Sequence, residues 1–178
     1  MKLHLLTLII LTSLLVACNE ASEPVVTETV HLPAYLFDGL SKDEIISQGI
    51  TRGALDVSIS STGVVSYEFS KETLSKRMTD VKNELQQMVE SIIYDETYST
   101  IRNISYEEDF SKFIVIVHHS FKENDTDRNL IIDLCKKAGE YQPYLAKESW
   151  TITAKIIDDV TVETIEIIKI NENFEIIN

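Results

Sequence analysis

Glycine is scarce in this chain: there are five, at 39, 49, 53, 63 and 139, and none forms a G-x-G pattern. Loops that cradle a phosphate need closely spaced glycines so that the backbone can approach the ligand, so the dinucleotide-binding and P-loop fingerprints are excluded. Neither a Gly-x-Ser-x-Gly nucleophile elbow nor a His-Glu-x-x-His zinc motif occurs. Cysteine is nearly absent, with Cys18 and Cys135 alone, which excludes the multi-bridge frameworks of small secreted domains. Positive charge is short as well. Sixteen Lys+Arg face 29 Asp+Glu, for a net charge of −13. A chain of that sign repels phosphate backbones and anionic head groups, so nucleic acid is not expected as a partner.

What remains is a globular profile: 178 residues, 44% hydrophobic and 25% charged, enough for one domain with a real core. The start reads Met1-Lys2-Leu3-His4, followed by an apolar run from Leu5 to Val16 and then Ala17-Cys18. One cation, a short apolar core and a small residue before the cut are the parts of a secretory signal. The run is too short for a spanning helix of roughly twenty residues. Leu15-Val16-Ala17-Cys18 resembles the lipobox of bacterial lipoproteins. That resemblance implies cleavage after Ala17, a diacylglyceryl group on the Cys18 thiol, and a place on the extracytoplasmic face of a bacterial cell membrane. Each buried CH₂ of such an anchor contributes about 0.8 kcal/mol, which makes two chains a stable hold. The expected organisation is a signal peptide over 1–17, a solvated tether over 18–33 and a single domain over 34–178.

Within that domain Ser41-Lys42-Asp43-Glu44 reads as a capping box, opening a short helix that stops near Gly49. Leu55, Val57 and Ile59 alternate with polar residues, Ser61-Thr62-Gly63 turns the chain, and Val65, Tyr67 and Phe69 alternate on the return: a hairpin. Leu74, Met78, Val81, Leu85, Met88 and Ile92 form one stripe of a long helix with Ser70 as N-cap, and its bland reading is packing onto a sheet. Strands follow at Ile101–Tyr106 and Lys112–His118. The unbroken run Phe113–Val117 predicts a strand covered on both faces, or at least central in its sheet. Leu130, Ile131, Leu134 and Ala138 define a second main helix that Gly139 is placed to end. Trp150–Ile157 and Val160–Ile168 read as a hairpin turning at Asp158-Asp159, with a short last strand at Phe174–Ile177. The order helix-ββα-ββα-ββ predicts an α+β fold: one antiparallel sheet of about six strands with its two main helices on one face.

Candidate chemistry is thin. Cys135 lies in an apolar helical pattern, the setting of a buried, inert thiol. His118-His119, read as adjacent strand residues, face apart and cannot share an ion. Asp125-Thr126-Asp127-Arg128-Asn129 imitates a calcium loop, but Leu130 replaces the required Gly and Lys136 the bidentate Glu. Asp125 or Thr126 is the expected cap of the next helix instead. Glu107-Glu108-Asp109 and Asp158-Asp159 are ordinary solvated acids at turns. No catalytic residue, metal ligand or cofactor is expected, and Cys18 is the one site residue, for lipidation.

Leu32-Pro33-Ala34 with Phe37, Gly63, the Lys71–Ile93 helix and Tyr106-Glu107-Glu108-Asp109-Phe110 together resemble small Gram-positive lipoproteins related to the N-terminal domain of surface antigen I/II. This chain departs from that group in turning on Ser61-Thr62-Gly63 where an Asp-Gly-Ser turn is usual. The resemblance implies a surface protein and carries over no catalytic residue. The expectation is therefore a lipid-anchored, non-enzymatic binding or accessory module for an envelope protein or wall component. An envelope hydrolase, or a hydrolase inhibitor, with an acidic cleft is the alternative. Two or more convergent carboxylates of raised pKa would favour the enzyme, and an exposed apolar patch would favour the binding module.

Overall fold

The computed structural model describes residues 26–177. The expected signal peptide, Cys18 and the first part of the expected tether lie outside the described residues. In chain order the elements are β1 (Thr27–Leu32), a 3-10 turn (Ala34–Phe37), α1 (Lys42–Thr51), β2 (Asp56–Ile59), β3 (Val65–Ser70), α2 (Lys71–Tyr94), β4 (Ile101–Tyr106) and β5 (Lys112–Val117). After a 3-10 turn (His119–Glu123) come α3 (Asp125–Tyr141), a further 3-10 turn (Gln142–Leu145), β6 (Thr151–Asp158), β7 (Thr164–Asn171) and β8 (Ile176–Ile177). The fold is mixed α+β.

The strands do not form one antiparallel sheet. They divide into a three-stranded sheet in the order β1-β3-β2 and a five-stranded sheet in the order β4-β5-β6-β7-β8. Two things separate this from the sequence reading. The stretch expected to be tether up to residue 33 includes β1, which pairs along its length with β3, Val30 opposite Tyr67 and Leu32 opposite Val65. Its Val30 and Leu32 are buried, so the polar residues between them only conceal a half-buried strand. The second difference is that β5 and β6 run parallel, Val115 opposite Ile156. The 17 residues of α3 between them carry the chain back by about 25 Å, at 1.5 Å per residue. A helical crossover of that length sets the next strand parallel.

Local signals explain most elements. Ser41 caps α1 in a full capping box with Glu44, and Ser70 caps α2 by accepting from the Thr73 amide. Leu74, Val81, Leu85, Val89 and Ile92 are buried along one stripe of α2, with Met78 and Met88 packed at its margin. Helix α2 touches α3 and reaches β3 and β4, while α3 lies on β6 and β7. Helix α1 does end near Gly49, at Thr51, but neither Gly49 nor Gly139 is the residue that stops its helix, for one reason. Helix α1 runs past Gly49, where an added Cβ would stand 2.4 Å from Val57, and α3 runs past Gly139, where it would stand 2.4 Å from the Trp150 indole. These glycines admit a neighbouring side chain; they do not end helices. The positive-φ turn after α1 is at Gly53, with φ +89°.

The hairpin at Gly63 forms as expected, Ile59 opposite Val65, although Leu55 lies ahead of β2 and is 56% exposed. In the later hairpin, β7 starts at Thr164 rather than Val160. The Asp158 carboxylate accepts the Val160 and Thr161 amides at 2.9 and 2.8 Å. That Asx turn widens the connection before pairing resumes.

Candidate functional site

Alternation along β4 to β7 splits the five-stranded sheet into two unlike faces. Ile101, Ile104, Phe113, Val115, Val117, Ile152, Ala154, Ile156, Ile168 and Ile170 point inward and are buried. The intervening residues form rows on the other face. Ser105, Ile114, Lys155 and Ile167 lie opposite one another in turn across β4, β5, β6 and β7. Lys112, Thr153, Lys169 and Ile177 make the next row, and Asn103, Ile116 and Ile157 a third. Ile114 is 45% and Ile167 50% exposed. β5 is thus an interior strand, paired on both edges by β4 and β6, but among the described residues it is covered on only one face.

A groove of about 380 Å³ runs over this surface between Tyr106, Ile114, Thr153, Lys155 and Ile167. Lys112 at its rim holds Glu107 at 3.0 Å, whereas neither Lys155 nor Lys169 has an ion pair among the described residues. The three-stranded sheet offers the contrast. Its open face carries His31, Ser66 and Ser58 in one row and Thr29, Glu68 and Asp56 in the next. His31 Nδ1 lies 2.9 Å from Ser66 Oγ. That is the polar outer face a solvated sheet normally shows. The five-stranded sheet presents isoleucine instead.

The residues singled out from the sequence fall elsewhere. His118 and His119 do not face apart on a strand, because β5 ends at Val117 and the chain turns at once into a 3-10 helix capped by His118. The His118 ring accepts the Ser120 amide at 3.3 Å, and the two imidazole centroids lie 3.8 Å apart. The strand argument for their separation is therefore wrong. Among the described residues, however, no three His, Cys, Asp or Glu side chains converge as a metal cluster would require.

The calcium-like segment is the first turn of α3, capped by neither Asp125 nor Thr126. Asn124 is the cap, accepting the Asp127 amide at 3.1 Å, because its position just outside the helix lets Oδ1 reach back over the first turn. Asp127 is fully buried; one carboxylate oxygen accepts both the amide and the hydroxyl of Thr100 and so pins the start of β4 to α3. Cys135 is buried and its thiol is pushed up to about 12 by desolvation, so it is no nucleophile at neutral pH.

The acidic cluster does not converge on a cleft. Glu107 pairs with Lys112, Glu108 with Lys82 at 3.3 Å, and Asp109 with Lys147 at 2.6 Å, so each carboxylate is drawn toward a different cation. The Lys147 ammonium holds the Asp109 carboxyl well below the usual range, with further help from Ser111. Asp158 is lowered chiefly by the Thr161 and Val160 amides, and Glu44 and Asp95 are lowered by their Ser41 and Thr97 partners. A general acid at neutral pH needs a shift in the opposite direction. A second cleft of about 540 Å³ lies between His31, Pro33, Lys147, Trp150 and Glu172. Its lysine is the one already committed to Asp109.

Sequence reasoning missed the open face. Its signal was present, in Lys112, Lys155 and Lys169 standing at the same strand parity as Ile114, Ile157 and Ile167, but only the pairing shows that they share a surface. The chain matches no family model, no curated protein and no solved structure. Among the described residues no helix is long and apolar enough to cross a membrane.

Proposed function

We propose that this chain is a non-enzymatic binding or accessory module, held by a lipid on Cys18 at the extracytoplasmic face of a bacterial membrane. It engages an envelope protein or wall component through the open face of its five-stranded sheet. One observation carries the binding site: Ile114 and Ile167 stand about half exposed on that face, while the other sheet's open face is polar. Water on an isoleucine row is unfavourable by about 25 cal/mol per Å² of apolar surface, and a covering partner removes that cost. The reading takes α2 and α3 together to cover the opposite, buried face, which their mutual contact and their contacts to β4, β6 and β7 support. The lipobox-like Leu15-Val16-Ala17-Cys18 supports the location, and the likeness to surface-antigen-related lipoproteins points the same way. The scattered, cation-paired carboxylates count against the hydrolase alternative.

A photo-crosslinking residue placed at Ile114 in the full chain, in its native envelope, tests the site. It is expected to give a discrete adduct that the same residue at Ser58, on the polar sheet, does not give. Equal labelling from both positions, or none from Ile114, would remove the open face as the binding surface.

A further inference from the structure

We propose that the open face of the five-stranded sheet receives an acidic protein segment, with an aliphatic or aromatic side chain seated between Ile114 and Ile167 and carboxylates on Lys155 and Lys169. The inference rests on the binding-module reading above and adds the chemistry of the partner.

Charge distribution is the first support. The three rows of this face hold Lys112, Lys155 and Lys169, and Glu107 is the acid that lines its groove, on a chain whose net charge is −13. Glu107 already answers Lys112. Lys155 and Lys169 are left without an ion pair among the described residues, and they are diagonal neighbours, since Lys155 stands opposite Ile167 and Lys169 two residues further along β7. Diagonal positions across a pair of strands lie roughly 7–8 Å apart, a span that two carboxylates of one extended segment can match. The apolar side chains around them supply the contact area that surface ion pairs alone do not.

Shape and sign then choose among occupants. The surface is grooved, about 380 Å³ between Tyr106, Ile114 and Ile167, and a groove accepts an inserted side chain, which a planar layer of lipid head groups does not provide. An extended anionic bilayer would also face the whole negative molecule, whereas a short acidic segment feels mainly the patch within a Debye length of about 8 Å. A second copy docking by the same face would set lysine against lysine in a two-fold interface.

The test is a selection from a randomised peptide library on the purified full chain, with counter-selection on the Lys155→Glu/Lys169→Glu double variant. Both lysines are outside the core, so the variant is expected to keep its thermal midpoint, and Lys155→Gln/Lys169→Gln provides a milder second version. Enriched peptides are expected to carry Asp or Glu beside Leu, Ile or Phe. They should bind the Glu variant at least tenfold more weakly, the Gln variant to an intermediate degree, and both the more weakly as salt rises. Neutral or basic enriched sequences, or affinities indifferent to the two lysines, would overturn the proposal. So would binding to phosphatidylglycerol vesicles that the double variant loses, which makes the face a lipid contact, or a dimer that the variant disperses. An Ile114 crosslink together with non-acidic peptides would sink this inference and leave the binding module standing; loss of the crosslink itself would sink both.

Discussion

Gly139 lies inside α3 because the Trp150 indole occupies the space a Cβ would need, at 2.4 Å, with Phe174 close behind at 3.0 Å. Trp150 meets Phe174 edge to face, so the ring has little room to retreat. Gly139→Ala, which would normally favour a helix, is therefore expected to destabilise by about 1–3 kcal/mol, as overpacking does. A denaturant midpoint that rose instead would show that the indole can move. Asp109 makes a pH prediction. Its folded pKa is depressed, chiefly by Lys147, so it adds stability above the unfolded carboxylate value and loses it as pH falls through the lower folded one. Asp109→Asn is expected to flatten the decline of the thermal midpoint below about pH 5, where an unfolded aspartate begins to protonate. An unchanged acid limb would mean that the pair with Lys147 is too exposed to count.

At the scale of elements, α2 shows how far periodicity reaches. Its stripe was legible because 3.6-residue spacing needs no knowledge of the partner surface, and Leu85 at its centre is fully buried. Leu85→Ala is expected to cost about 2–5 kcal/mol; a thermal midpoint unmoved by it would place the stripe in solvent. Helix α3 was harder to bound at either end. Asn124, outside the apolar pattern, supplies its cap, and Gly139 does not stop it. Asn124→Ala should cost roughly 0.5–2 kcal/mol for the lost cap, while Thr126→Ala, at one of the two positions expected to cap, should cost less. Equal losses in chemical denaturation would return the cap to the helix start read from the sequence.

For the whole molecule the anchor is the part to test directly. If Cys18 carries the lipid, Cys18→Ala should leave the chain unlipidated and move it out of the membrane fraction. A variant that still pelleted with membranes after a carbonate wash would refute the lipoprotein reading. The same experiment bears on charge: at −13 the chain has little electrostatic attraction to an anionic bilayer, so an unlipidated form should not rebind on lowering the salt.

The sequence by itself determined what depends on neighbours along the chain. The α+β class, the Ser41–Glu44 capping box, the Gly63 hairpin, the Ser70 cap and the buried Cys135 all rest on spacings of a few residues, where backbone geometry leaves little choice. Only tertiary structure decided what depends on partners far apart in sequence. It recruited Thr27–Leu32 into a second sheet by pairing with β3, and set β5 parallel to β6 through the α3 crossover. It also brought Ile114, Lys155 and Ile167 onto one surface, although each looks locally like an unremarkable strand residue. Register is a relation between strands, and a one-residue slip reverses every side chain, so no reading along a single strand contains it.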